Sequence, residues 1–369
     1  MAEDAYTDRR RRLQARLRTI DADAVICAPS RNLQYLTGLE MEPSERHFLL
    51  VVPASGPPTA LVPALEETAV RETTSVAAVY TWRDDDDPRA AVRSLLTSVG
   101  VRGGRLLVDD TMWAQFTQDL RAVAPDATWG LASEALTALR ITKDESELDA
   151  LRAAAAAADA TVEDLRARDD VIGTTEAALA AWIRERLAAH GGSGVAFEPI
   201  VAAGENGAKP HYRHGDREIR AGDPVVCDFG TRVDGYPSDT TRTFVAGSDP
   251  SPAYERVHGT VRDAQVAGID AIEPGATTGA VDDAARSVVD AAGYGDAFVH
   301  RTGHGVGLEV HEPPYVVADG ERTLESGMVC SVEPGIYLEG RFGCRIEDLV
   351  IVTDDGAERL NTTDRGWEW

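Results

Sequence analysis

Short apolar runs alternate with amphipathic stretches through the first third of the chain. DAVICAP (23–29), HFLLVVPA (47–54), PTALVPAL (58–65), AAVYTW (77–82) and RLLVDD (105–110) have the length and residue types of strands. Helical patterns at roughly 5–19, 88–99 and 111–123 separate some of them. That alternation predicts an α/β domain. A boundary is expected near residue 135, giving domains 1–135 and 136–369. Beyond it, Thr142 and Glu145 in TKDESEL form a Thr-x-x-Glu capping signal, with acidic residues in the first turn, ahead of a long alanine-rich helix.

The second domain carries a loose internal echo. TTEAALAAWIRERLAAHGG is helical and stops at Gly191 and Gly192, after which FEPIVAAG and a histidine-containing stretch follow. TTGAVDDAARSVVDAAGYG is helical and stops at Gly293, after which FVH and another histidine-containing stretch follow. Two similar halves, each presenting a helix and strands to a shared cleft, are therefore expected.

Composition narrows the class of protein. A chain of 369 residues exceeds one ordinary core, and 43% apolar content suffices to fill two. No apolar run reaches the length of about 18 residues that a membrane span needs, and MAEDAYTDRRRRLQARL lacks the apolar centre of a signal peptide. No membrane partner and a cytoplasmic address are expected. Cys27, Cys227, Cys330 and Cys344 lie far apart in apolar contexts, which points to buried reduced thiols and not to a thiolate metal site.

The net charge is −25, with 35 arginines but only two lysines, Lys143 and Lys209. Such a surface repels nucleic acid. Scarce lysine beside excess Asp, Glu and Ala resembles proteins that stay soluble in concentrated salt, where the Debye length falls to about 3 Å at 1 M and self-repulsion is screened. Melting temperature is accordingly expected to rise from dilute buffer to molar KCl, and a flat or falling trend in thermal unfolding would remove the halophilic reading.

Candidate chemistry begins in VVCDFGTRVDGYPSDTTRTF (225–244), two β-rich runs flanking an Asp234-Gly235 turn. Folding back there brings Asp228 opposite, or nearly opposite, Asp239. Like charges across a strand pair repel, so cations between them would explain the arrangement. One aspartate solvated at the strand end is the plain alternative. RTGHGVGLEVHEPP supplies His304 and His311, preceded by His300, where Gly303, Gly305 and Gly307 argue against a helix and suggest close backbone approach to a site. In MVCSVEPGIY an apolar strand ends at Glu333 before a Pro-Gly turn, and CRIEDLVIV, read as the last strand, puts Arg345 and Glu347 on one face. A carboxylate on so apolar a strand needs a partner, whether Arg345 or a metal.

Four carboxylates and one neutral imidazole balance two divalent cations, and the oxygen-rich set suits Mn²⁺, Co²⁺, Fe²⁺ or Zn²⁺. Two such ions about 3.5–4 Å apart can hold a hydroxide nucleophile and polarise a carbonyl, which is the chemistry of amide hydrolysis.

The segments DFGTRVDGYPSDTTRTF, GHGVGLEVHE, EPGIY and RIED closely resemble the prolidase and aminopeptidase P family of pita-bread metallopeptidases, and RNLQYLTG, RITKDESEL and KPHYRHGDREIRAGD resemble it more weakly. The resemblance implies a creatinase-like N-terminal α/β domain and a C-terminal pita-bread catalytic domain of mixed α+β content. It implies that Asp228, Asp239, His304, Glu333 and Glu347 bind two metals, with Asp239 and Glu347 bridging or chelating. It gives His211 a role in binding or proton transfer, His311 a hydrogen bond to the scissile carbonyl or tetrahedral intermediate, and His300 a part in substrate binding. Arg345 would hold the carboxylate network, and Glu333 would shuttle the proton to the leaving nitrogen. Peptides with proline in second position are the implied substrates, and a homodimer the implied assembly.

Four other readings compete with this one. An Xaa-Pro aminopeptidase acting on longer peptides shares every motif above. A methionine aminopeptidase would leave the N-terminal domain superfluous. A non-catalytic binding module would be expected to have lost ligands, and all five positions are filled. Gly191-Gly192-Ser193-Gly194 lacks the spacing of a serine-hydrolase elbow.

Overall fold

The five apolar runs of the first third become neighbours in one six-stranded sheet of the computed structural model, which describes residues 2–369. Its order is Ala78–Trp82, Thr59–Pro63, Leu49–Pro53, Ala24–Cys27, Gly104–Val108, Ala127–Leu131. The last of these strands was not foreseen, because ATWGL is half exposed at the sheet edge and lacks a sustained apolar pattern. The sheet is mixed: Leu49–Pro53 runs antiparallel to both neighbours, and the remaining pairs are parallel.

Helices cover the sheet. The helix Pro88–Val99 is set by local signals, with the Asp87 side chain accepting from Arg89 N, proline in the first turn, and Gly100 at φ 78° closing the end. It buries Val92, Leu95 and Leu96 against Ile26, Val51 and Leu106 of the sheet and Phe116 and Leu120 of the helix Ala114–Val123.

The chain divides into residues 1–140 and 141–369. Residue 135, the expected boundary, lies inside the helix Ser133–Arg140, whose Ala135, Leu136 and Leu139 are buried. A buried helical turn cannot serve as a linker, and the divide comes after Arg140. The long helix runs Glu145–Arg166, and its cap is Asp144, not Thr142: Asp144 accepts from Glu147 N, and the Glu147 side chain accepts from Asp144 N. Thr142 is unavailable as a cap because its backbone bridges to Met328.

Within 141–369 the echo takes physical form. Helices Glu145–Arg166 and Glu176–Ala189 pack on a three-stranded sheet of order Thr240–Val245, Pro224–Phe229, Ile200–Ala203. Helices Pro252–Asp270 and Thr278–Ala291 pack on a five-stranded sheet of order Glu312–Val316, Gly303–Gly305, Val329–Val332, Asp348–Thr353, Gly356–Arg359. The three-stranded sheet meets the segment that leads into Asp348–Thr353 where Thr241 bridges Glu347, and Thr243 Oγ1 donates at 2.9 Å to Arg345 O, at the end of a separate two-stranded sheet of Gly335–Leu338 and Phe342–Arg345. All four cysteines are buried and free. Among the described residues no helix is long and apolar enough to cross a membrane.

Candidate metal centre

The seam between the two sheets collects the acidic residues. Asp234 at φ 50° and Gly235 at φ 84° form the tight turn expected between the two aspartates, since both positions need left-handed backbone. The strand register puts Thr241, not Asp239, opposite Asp228. Asp239 lies two residues before Thr241 and so shares the face on which Asp228 and Thr241 meet.

Glu347 arrives differently from the sequence reading. CRIEDLVIV is not one strand: Phe342–Arg345 pairs with Gly335–Leu338, the chain switches sheets, and Asp348–Thr353 pairs with Val329–Val332. Nor is it the last strand, since Gly356–Arg359 follows. Glu347 sits at the switch, its N donating to Thr241 O at 3.1 Å and its carboxylate accepting from Thr241 Oγ1 at 2.6 Å.

His304 lies on the strand Gly303–Gly305, and Glu333 follows Val329–Val332 with its N donating to Thr302 O at 2.8 Å. The glycines permit close backbone approach, but to the two neighbouring strands, Val329–Val332 and Glu312–Val316. A Cβ on Gly303 would lie 1.9 Å from Ser331 O, and one on Gly305 would lie 2.4 Å from Pro313 C. Ser331 Oγ accepts from the His304 backbone N at 3.1 Å and donates to Glu333 Oε1 at 3.2 Å, tying the Glu333 side chain to the backbone that carries His304.

His304 Nε2 lies 3.3 Å from Glu333 and 3.6 Å from Asp239. Three overlapping sets could each hold an ion: Asp228, Asp239 and Glu347; His304, Glu333 and Glu347; Asp239, His304 and His311, with donor atoms in each set within 4.8 Å. Asp239, Glu347 and His304 each belong to two of these sets. His311 enters one set because its ring centroid is 4.1 Å from that of His304.

Electrostatics favour a cation there. Burial, then the charges of neighbouring carboxylates, push Asp239 and Glu347 well above the carboxylate range, and burial lifts Asp228 and takes Glu333 to about 7. Arg345 is the buried cation beside them, and Asp228 Oδ1 is left buried without a hydrogen-bond partner. Burial lowers His304 to about 3, so the ring is neutral. Its Nδ1 donates to Gly305 O at 3.2 Å, leaving the Nε2 lone pair free for a metal. Hard oxygens with one imidazole and one orphaned oxygen fit divalent metal.

Arg345 is held by several acceptors. It donates to Asp228 Oδ2, to Thr241 Oγ1 at 3.1 Å, to Tyr337 OH at 2.8 Å and to Pro210 O at 3.4 Å. Tyr337, pushed up to about 12 mainly by burial, stays protonated and donates onward to His300 Nε2 at 2.8 Å. His300 Nδ1 donates to Arg301 O at 2.7 Å, so both ring nitrogens are engaged and His300 is tied to Arg345 through the phenol. His211 and His311 are exposed, yet both are near enough for their charge to act on Asp228.

Sequence reasoning missed Tyr337, Thr241 and Ser331. Tyr337 had one available signal, the two-residue period from Gly335, which pairs with Arg345. It also missed the fully buried Lys143, whose Nζ donates to Glu312 at 2.9 Å, directly after His311.

Residues 149–354 match the pattern of metallopeptidase family M24, and residues 9–142 that of the creatinase/prolidase N-terminal domain. A probable dipeptidase PepE of Mycobacterium tuberculosis is 43% identical over 367 residues, covering 97% of this chain and 95% of the relative. An Xaa-Pro dipeptidase of Lactobacillus helveticus is 34% identical over 360 residues, covering 96% of each. The crystal structure of a recombinant prolidase from Thermococcus sibiricus superposes with a TM-score of 0.93 at 36% identity, covering 98% of each chain. With this pattern running through the whole carboxylate seam, the chain belongs to metallopeptidase family M24.

Proposed function

We propose that the chain hydrolyses the bond between a first residue and proline in dipeptides, as an Xaa-Pro dipeptidase, with Asp228, Asp239, His304, Glu333 and Glu347 holding two divalent ions, Mn²⁺ by preference. The observation that carries this reading is the sharing of Asp239 and Glu347 among ligand sets whose donor atoms lie within 4.8 Å. The two relatives named as dipeptidases favour dipeptides over longer substrates. Bound metal supplies a water acidic enough to attack at neutral pH and a Lewis acid for the scissile carbonyl.

The chain's own groups do the rest. Glu333 takes the proton of the attacking water and passes it to the departing proline nitrogen. Arg345 holds Asp228, and Thr241 holds Glu347, so neither carboxylate turns away from the seam. His311 and His211, both exposed, meet the substrate in this reading, His311 donating to the carbonyl oxygen. His300 supports Arg345 through Tyr337 and so acts on the substrate side indirectly.

A panel of Xaa-Pro dipeptides and tripeptides, assayed after Mn²⁺ is returned to metal-free protein, tests the proposal. Dipeptides are expected to be cleaved faster. The reverse order assigns an Xaa-Pro aminopeptidase, and binding without cleavage assigns a non-catalytic module. We further propose a homodimer working in a halophilic cytoplasm. Light scattering that shows a fully active monomer at micromolar concentration would exclude the dimer.

A further inference from the structure

We propose that Glu176 is a positioning residue that fixes the 203–215 segment so that His211 and the Pro210 carbonyl reach the metal centre. Glu176 opens the helix Glu176–Ala189, and its carboxylate is fully buried, at 0% exposure. An acidic residue in a first helical turn ordinarily faces water and the helix dipole. This one faces a loop.

Three donors converge on it. Oε1 accepts from Ala203 N at 2.8 Å and Asn206 Nδ2 at 3.0 Å, and Oε2 accepts from Gly215 N at 3.2 Å. One side chain thus ties both ends of the segment and its 3₁₀ turn, Gly204–Ala208. Asn206 relays the hold: its Nδ2 donates to Tyr212 OH at 2.9 Å and its Oδ1 accepts from Lys209 Nζ at 3.1 Å. Lys209 and Tyr212 flank Pro210 and His211, and Tyr212 N closes the turn on Lys209 O at 3.0 Å. Pro210 O accepts from Arg345.

The His211 ring makes no hydrogen bond among the described residues, so its place depends on the backbone that carries it. Only an acceptor suits the position of Glu176. A glutamine there would turn an amide donor towards one of three N–H groups, and the mismatch would be buried. The chain has just two lysines, and one of them, Lys209, belongs to this network.

The inference rests on the role given to His211 above, and the test separates the two. kcat/KM on an Xaa-Pro dipeptide is measured for Glu176→Gln, His211→Ala and the double variant as metal-loaded proteins, with metal content recorded. Backbone hydrogen exchange is followed in each. Misplacing a substrate-positioning group by about 1 Å can cost up to 10²-fold, and each single variant is expected to lose roughly tenfold or more. The double variant should fall no further than His211→Ala alone, within about twofold, because residues acting as a unit are not additive. Exchange in Glu176→Gln should quicken within 203–215 and not in the strand Pro224–Phe229.

Losses that multiply in the double variant, or exchange that is unchanged or raised along the whole chain, would overturn the proposal. If wild-type protein cleaves no Xaa-Pro substrate while the exchange change stays confined to 203–215, the functional reading fails and the clamp stands. Should Glu176→Gln not fold, Tyr212→Phe removes only the hydroxyl that Asn206 reaches and should show the same non-multiplying pattern with a smaller loss. An additive loss there counts equally against the clamp.

Discussion

Replacing Glu333 by Gln is expected to slow the chemical step on an Xaa-Pro dipeptide by roughly 10²-fold or more, the scale of a lost general acid–base. The proline nitrogen carries no hydrogen before cleavage and must gain one as it leaves, so a positioned proton carrier matters more here than binding alone. Glu333 suits that task better than its neighbours. Its side chain is 15% exposed, against 11% for Asp228 and 5% for Asp239, so it is the carboxylate that water and substrate reach most easily. Ser331 Oγ fixes one of its oxygens, and its own N is anchored to Thr302 O. Glutamine keeps the size and one acceptor oxygen but cannot carry the proton. Part of the metal affinity should survive, because four other ligands remain. Metal content measured beside turnover separates the outcomes: full rescue by excess Mn²⁺ reduces Glu333 to a ligand, and near-normal turnover with both ions bound removes both roles.

Stripping the metal should abolish hydrolysis and also reverse the local pH dependence of stability. In the metal-free protein burial raises Glu333 from an ordinary 4.5 to about 7, and Asp228, Asp239 and Glu347 move in the same direction. The folded state then holds these protons more tightly than the unfolded chain does. The associated stability is fully present below about pH 4.5 and is lost as pH rises through about 7. A bound divalent ion favours the ionised carboxylates and cancels that loss, and its binding releases protons. The gain in melting temperature on adding Mn²⁺ should therefore grow between pH 5 and pH 8. Scans at fixed ionic strength, with chelator and with Mn²⁺, check this. Taking the difference between them cancels surface carboxylates such as Glu358, whose pKa Arg152 lowers. A gain that is flat or shrinks with pH would show that the carboxylates do not face the ion.

What the sequence determined by itself was whatever depends on neighbours in the chain. The helix Pro88–Val99 is legible because proline, an aspartate cap and a closing glycine all act within one turn of its ends. The Asp234-Gly235 turn is legible because left-handed backbone at both positions restricts the residue choice. Asp228, Asp239, His304, Glu333 and Glu347 stood out because charge on an apolar strand, or histidine among glycines, conflicts with its local setting. How distant segments meet follows only from packing the whole chain. Thr241 and Glu347 are 106 residues apart, and their bond exists because the strand Thr240–Val245 lies beside the point where the chain passes from Phe342–Arg345 to Asp348–Thr353. No local pattern announces such a switch, so CRIEDLVIV reads as one strand although its two halves pair with different partners. Asp144 caps its helix in place of Thr142 because Thr142 is committed to Met328, nearly two hundred residues away. Glu176 looks like any first-turn acid until the fold lays the 203–215 segment over it. Hydrogen bonds between segments so far apart follow from packing the whole domain, and residue periodicity carries no record of them.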